Sequence, residues 1–381
     1  MEFDWTDEQR ELRRSAVDFA SRYLVEGTAE RDRDGTFSRE IWDACGDYGL
    51  QGLLVPPEWN GSGQDLLSAV TVLEGIGYGG RDNGMIFSVA AHAASCEGPL
   101  AVFGSEPQKE RWLRGLADGS LIGATGITEP DSGSNALGLG TTAEQQDGEW
   151  VLNGSKTFVT NAPLADLFIV YARTGGSGFG GLTCFLIPQG TEGLSVGPTM
   201  HKMGLRTSPM AQVYLDSCRI PEDSVVGGVG SGAMVFNQTM DVERLLVMAP
   251  ALGVMERTLE RCVDHARERT TGNATIGKHQ AIAHRIADME LELEAARLLL
   301  YRAAWHRGRR STATRESALA KLAVSEAYVR ACRAAVQIFG GYGYVVEYEL
   351  ERELRDALSA TLYVGTSEIQ RNLIAGLRGL G

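Results

Sequence analysis

The chain has 381 residues, 43% of them hydrophobic and 22% charged, with a formal charge of −13. These are the proportions of a globular protein with two or three structural regions. The acidic surplus excludes the cationic footprint of nonspecific nucleic-acid binding, while leaving room for a small basic patch.

The chain opens MEFDWTDEQRELRR, which is charged and lacks the apolar core of a signal peptide. Residues 1–120 read as helical. Thr6 and Gln9 suit a capping box ahead of a first helix. GLLVPPEWNGSG then breaks the pattern with Pro-Pro and glycines, and a small-residue helix follows through FSVAAHAASC, where His92 reads as a packed residue. From 121 to 228, WVLNGSKTFVT, DLFIVYA, LTCFLIP and QVYLDSCRIP are short, β-branched and aromatic, which predicts strands of a small sheet or barrel. Gly176, Gly178 and Gly181 satisfy GxGxxG, but strand chemistry resumes at once and leaves no helix N-terminus for a pyrophosphate. We therefore read a hairpin and not a dinucleotide fold.

From 229 to 381 the chain is helical again. Ile286, Met289, Leu293, Ala296, Leu300 and Ala303 form one stripe. Leu322, Ser325, Val329, Cys332, Val336 and Phe339 form another, and HRGRRSTATRES connects the two. No run approaches the roughly 18 apolar residues of a membrane span. Six cysteines, at 45, 96, 184, 218, 262 and 332, stand singly, so reduced packing residues in a cytoplasmic protein are expected. The histidines form no HExxH or Cys/His set, and His279 and His284 are five apart, so no metal site is expected.

Two stretches carry chemistry. GITEPDSGSN, Gly126–Asn135, is followed by KTFVTNA. Near the end, Gln337, Gly340, Gly341, Gly343, Glu347, Arg352 and Asp356 precede LYVGTSEIQR. In this order the segments resemble the two signatures and closing motif of the acyl-CoA dehydrogenase family, and the resemblance covers nearly the whole length. It implies an α+β fold: an N-terminal helical domain (1–120), a central small β-barrel (121–228) and a C-terminal four-helix bundle (229–381). It also implies FAD, with Thr125, Ile127, Thr128, Gly133 and Ser134 at the flavin ring or phosphates and Phe158 and Thr160 against the ring. Asn135 stands where the family usually has Asp. Gln337, Gly340, Gly341, Thr366 and Glu368 are carried over as further cofactor contacts.

The family's dinucleotide-end motif is present in part. Arg269 and Gln280 have its spacing, but Gly272 replaces its Phe and Asn273 its Gly. In the family such an Arg reaches a neighbouring subunit's FAD, so a homotetramer built from dimers is expected. Many members carry the catalytic glutamate just before the closing Gly-Thr; here that residue is Val364, which cannot accept a proton. Members resembling isovaleryl-CoA and long-chain acyl-CoA dehydrogenases place it instead where this chain has Glu243. Glu243 is thus the expected base, taking the α proton of an acyl thioester while the β hydrogen leaves with its electron pair to the flavin. Taken alone, without the change at Val364, Glu243 and Arg244 read as a solvated helix pair.

The backbone N–H of Val364 is expected to hold the thioester carbonyl, with Ser134 and Arg244 also near the substrate. A lost donor of this kind costs roughly 3 kcal/mol. NAPLADLFIVYA, LRTSPMAQVYLDSCRIPE and the run from ERLLVMAPALGVMERTLE are similar to enzymes that oxidise L-prolyl groups on peptidyl carrier proteins in secondary metabolism. The expected partners are an acyl thioester on phosphopantetheine, of a carrier protein or CoA, and an electron acceptor, either a flavoprotein or oxygen. A short- or branched-chain acyl-CoA dehydrogenase, an oxygen-using flavin oxidase or monooxygenase, and a flavin-binding protein without catalysis are the other readings. RAAWHRGRR, Arg302–Arg310, is a basic run that reads as a helix C-terminus complementing its dipole or as a docking point for an acidic carrier protein.

Overall fold

The structure is a computed structural model that describes residues 4–176 and 179–380. Helices α1 (Asp7–Tyr23), α2 (Thr28–Asp34), α3 (Arg39–Tyr48), α4 (Leu66–Gly79), α5 (Asn83–His92), α6 (Gly98–Phe103), α7 (Glu106–Gln108) and α8 (Arg114–Ala117) come first. Strands β1 (Gly123–Gly126), β2 (Thr142–Gln146), β3 (Glu149–Thr160), β4 (Leu167–Arg173), β5 (Leu182–Pro188), β6 (Leu194–Val196), β7 (Met210–Pro221) and β8 (Val225–Val226) follow. The rest is α9 (Gly232–Glu268), a hairpin of β9 (Thr270–Thr271) and β10 (Ala274–Thr275), α10 (Gln280–Arg307), α11 (Thr314–Phe339), α12 (Gly341–Tyr344), α13 (Leu350–Ser359) and α14 (Ser367–Gly376).

Local chemistry sets the boundaries. Thr6 and Gln9 form the expected reciprocal box at α1. The carboxylates of Asp65 and Asp82 cap α4 and α5 by accepting the Ser68 and Met85 N–H groups at 2.7 and 3.0 Å. The span Asn83–Phe103 is apolar and long enough to cross a membrane, but 67% of its most apolar window is buried in the molecule, which makes it a core helix.

The first and last helical regions share one core, in which Val70, Leu73 and Ile76 of α4 meet Leu245, Leu252 and Met255 of α9 and Leu293 and Leu300 of α10. Helices α4 and α9 approach backbone to backbone. A Cβ on Gly77 would lie 2.0 Å from the Pro250 carbonyl oxygen, and one on Gly253 would lie 2.0 Å from that of Glu74. Glycine at these two positions is what lets α9 run flush against α4.

The sheet runs β6-β7-β3-β2-β4-β5-β8, with β1 added in parallel to β4. The expected small barrel is not closed: among the described residues the end strands β6 and β8, three and two residues long, do not pair with each other. Gly178 lies outside the described residues. Gly181 accepts from the Thr174 N–H at 2.9 Å, at the closing end of the antiparallel β4–β5 pair, which agrees with a hairpin. Of the two stripes, that of α10 is buried from Met289 to Ala303. On α11 Ser325, Cys332 and Phe339 of the expected stripe are buried and Leu322, Val329 and Val336 lie at its edge, while Ala318, Lys321, Val324, Tyr328, Ala331 and Ala335 carry the buried face further round the helix. Its small residues escape a hydrophobicity count, yet they allow the close packing of α9, α10 and α11.

Candidate active site

Glu243 and Arg244 are not a solvated pair. They retain only 9% and 6% of their exposure, on the inward face of α9. Glu243 Oε2 is buried and makes no hydrogen bond among the described residues. Burial pushes its carboxyl pKa up to about 7, against the opposing pull of the Ser95 hydroxyl and the Arg244 charge. Arg244 spends its guanidinium on Asp241 Oδ1 (3.4 Å) and Ser317 Oγ (3.3 Å), so Glu243 keeps a free lone pair.

Ser95 belongs to a π-helical turn, Ala93–Glu97, between α5 and α6. Such a turn breaks the regular ladder and is common at functional sites. The Ser95 carbonyl accepts from the Thr125 hydroxyl at 2.8 Å, so Thr125 faces the helices and one residue links the base to the strand that starts the glycine-rich loop. His92 is a packed residue, as its sequence context suggested: Nδ1 accepts from the Gly123 N–H at 2.9 Å while Nε2 faces Leu116 O and Glu97 Oε1.

The loop Gly126–Asn135 leaves Gly133, Ser134 and Asn135 exposed and Ile127 and Thr128 half-buried. Its rigidity comes from two residues that sequence reasoning missed. Glu129 accepts from the Gly140 N–H (2.5 Å), the Thr141 N–H (2.9 Å), the Thr141 hydroxyl and Lys156 Nζ (2.6 Å). Lys156 is fully buried although it stands only two residues before the exposed Phe158 on β3, and its place in the sequence carries no signal of that burial. Phe158 stands at the β3–β7 register shift with φ +56° and is 61% exposed. A bulky residue adopts that conformation only when its surroundings impose it. The bulge therefore turns an aromatic face outward beside the loop, with Thr160 half-buried two residues on.

The closing turn carries a second strained residue. Val364 is β-branched yet has φ +48°, and Gln370 Nε2 holds the turn by donating to the carbonyls of Val364 (3.1 Å) and Gly365 (3.0 Å). No intrachain acceptor for the Val364 N–H is found among the described residues. Thr366 caps α14 through the Ile369 N–H at 3.3 Å, and Glu368 is exposed in the first turn. Val247, one helical turn beyond Glu243, and Tyr363, the residue before Val364, line one cavity of about 30 Å³. On α9, α11 and α14, Glu243 Oε2, Arg244 Nε, Lys321 Nζ, Ser367 Oγ and Gln370 Oε1 are all buried without partners among the described residues. Each such atom costs on the order of 1–3 kcal/mol when left unsatisfied, which marks a place for a polar ligand.

A separate group gathers at the far end of α9. Arg269 is its C-cap and lies 5.5 Å over the Tyr342 ring. Gln280 opens α10, Gln337 lies in the last turn of α11, Gly340 caps that helix and Gly341 opens α12, all exposed. Open space surrounds both glycines, so nothing in this chain's own packing demands a glycine at 341. Arg269 is about 39 Å along the helix from Glu243. One chain therefore does not bring its two sets of expected cofactor residues together.

Residues 6–120, 124–218 and 230–376 match the N-terminal, middle and C-terminal domains of acyl-CoA dehydrogenase. The chain belongs to the acyl-CoA dehydrogenase family. An L-prolyl-[peptidyl-carrier protein] dehydrogenase of Pseudomonas fluorescens is 38% identical over 377 residues, 98% of this chain and 99% of the relative. The prolyl acyl carrier protein oxidase AnaB superposes with a TM-score of 0.97 at 40% identity, covering 99% of this chain and 100% of the other. PigA with FAD and proline gives 0.98 at 36% identity, covering all of both chains.

An acyl-CoA dehydrogenase site calls for a flat ring held by backbone and an acid beside a thioester, and these residues fit. Phe158 offers the aromatic face, the open space at Gly133 admits close approach, and the orphaned atoms at Glu243 and Val364 await polar partners. At the dinucleotide end Tyr342, 44% exposed, provides an aromatic beside Arg269 although Gly272 replaces the family's Phe.

Proposed function

We propose that this chain is an FAD-dependent dehydrogenase that introduces an α,β double bond into an acyl thioester. Its substrate is a small prolyl-like or short acyl group on the phosphopantetheine of a carrier protein, in secondary metabolism. The observation that carries this reading is Glu243, a buried carboxylate with a free lone pair, whose burial pushes its pKa up to about 7.

Glu243 takes the α proton, and its raised pKa matches it to a weakly acidic carbon. The Val364 N–H, fixed by the Gln370 clamp, meets the thioester oxygen as negative charge develops there. Burial on α9 keeps water from the base, and Arg244, tied to Asp241 and Ser317, holds the helix end near the substrate. Bound FAD supplies the acceptor for the β hydrogen and its electron pair. Ile127, Thr128, Gly133, Ser134, Phe158 and Thr160 would hold its ring and nearby phosphates, with Thr366 and Glu368 close by. Arg269, Gln280, Gln337, Gly340 and Gly341 would serve a neighbouring subunit's FAD, which supports a homotetramer built from dimers.

The test is anaerobic mixing of FAD-loaded protein with prolyl-loaded carrier protein and, separately, with a panel of acyl-CoAs, following flavin bleaching and product mass. Bleaching by the carrier-bound substrate with a product lighter by two hydrogens is expected. Bleaching by acyl-CoAs alone would make it a short- or branched-chain acyl-CoA dehydrogenase, and no bleaching by either would refute the proposal. AnaB is named an oxidase and the Pseudomonas fluorescens relative a dehydrogenase, which leaves a choice between oxygen and a flavoprotein as acceptor. Peroxide release on aeration checks that choice.

A further inference from the structure

The basic run noted in the sequence has a place in the fold that its composition did not disclose. From 302 to 315 the chain contains five arginines and no acid, in a protein of net charge −13. Arg302 and Arg315 are drawn to Glu316, at 3.9 and 3.3 Å. Arg309 and Arg310 are exposed and join no ion pair among the described residues. The Arg309 guanidinium lies 4.4 Å over the ring of Trp305, itself 44% exposed. Tryptophan and arginine are both enriched among the residues that carry the binding energy of protein interfaces.

The turn between α10 and α11 that carries these residues is fastened beside the active site. Asp241, two residues before Glu243 and 1% exposed, accepts from the Ala313 N–H (2.9 Å), the Thr314 hydroxyl (3.1 Å) and the Ser317 hydroxyl (3.2 Å). The same carboxylate holds Arg244. One buried acid therefore ties the arginine-bearing turn to the base-bearing helix, and the patch keeps a fixed position relative to Glu243.

We propose that Trp305, Arg309 and Arg310 form the docking surface for the carrier domain, an acidic protein that delivers its thioester on a phosphopantetheine arm. The inference rests on the carrier-protein reading above and adds where the carrier lands. An acidic partner approaching a chain of charge −13 meets net repulsion, so a basic patch tied to the helix that carries Glu243 raises productive encounter and sets orientation. Trp305 adds apolar contact once the complex forms.

The experiment compares wild type, R309E/R310E and R309K/R310K, all FAD-loaded, on one acyl group in three forms: carrier-bound, as the CoA thioester and as the pantetheine thioester. At low salt R309E/R310E should lose roughly tenfold or more in kcat/KM on the carrier-bound form and lose its salt dependence. R309K/R310K should keep both, because steering needs charge and not a guanidinium. The pantetheine thioester should be turned over as by wild type. Unchanged turnover of the carrier-bound form overturns the proposal. So does an equal loss on pantetheine, which would indicate site damage, or an equal loss on CoA alone, which would indicate a phosphate site. A change of oligomeric state in light scattering would assign the patch to a second copy of this chain and also overturn it. If wild type turns over CoA but not carrier-bound substrate, the carrier reading itself has failed, and this is visible before any variant is compared.

Discussion

In the proposed reaction two side chains decide the chemistry, and each is in a condition it would not adopt without cause. Glu243 gains a proton affinity from burial that an exposed glutamate lacks. Because its folded pKa is raised, its ionisation opposes folding: the penalty is absent below about pH 4.5 and complete above about pH 7, on the order of 3 kcal/mol. Glu243→Gln, which cannot ionise, should therefore be no less stable than wild type at pH 8 in thermal melts while losing its catalysis. Val364 holds φ +48° against its branched Cβ, a strain of roughly 1–3 kcal/mol. Val364→Gly should relieve part of that strain, yet lower the reduction rate by letting the N–H donor wander. A higher rate in Val364→Gly would show that the strained turn is not aimed at the substrate.

At the scale of elements, the loop Gly126–Asn135 depends on the buried pair Lys156–Glu129. Removing one partner of such a pair typically costs about 3–5 kcal/mol. Lys156→Met should thus loosen the loop, and FAD should be released at lower denaturant concentration than from wild type, as read by flavin fluorescence. The elements also show how far the sequence could be read. Helix, strand, helix order was legible because hydrophobic period changes from 3.6 to 2 and back, and because the loop residues Pro56, Pro57 and Asn60 mark a true break. The exchange of Val364 for Glu243 was legible as a pair of residue types. The clamp was not, since a lysine two residues before an aromatic carries no sign that it is inside. Nor was the π-helical turn, because its small residues fit an ordinary helix equally well. The open sheet was hidden too: whether two- and three-residue end strands meet depends on twist, which local composition does not encode.

At the scale of the whole molecule, α9 is the organising element. It lies on α4 through Gly77 and Gly253, carries Glu243 near one end and Arg269 at the other, and shares Asp241 with the arginine-bearing turn. The separation of its two functional ends leads to a prediction about assembly. Arg269→Ala should retain its fold but hold FAD less tightly, with the loss measured by equilibrium dialysis, and light scattering should report at least a dimer for the wild type. A monomer that keeps its FAD fully would contradict the shared-site reading.

The central claim is that Glu243 is the base, and its most direct test is the rate of flavin bleaching on anaerobic mixing with saturating and subsaturating thioester. For wild type, the second-order rate should rise with pH through an apparent pKa near 7, since the ionised carboxylate is the active form. Glu243→Gln, with FAD and thioester still bound, should be slower by about 10²–10⁴-fold at every pH. Bleaching of Glu243→Gln at the wild-type rate would show that the proton goes elsewhere and that the base has been misassigned.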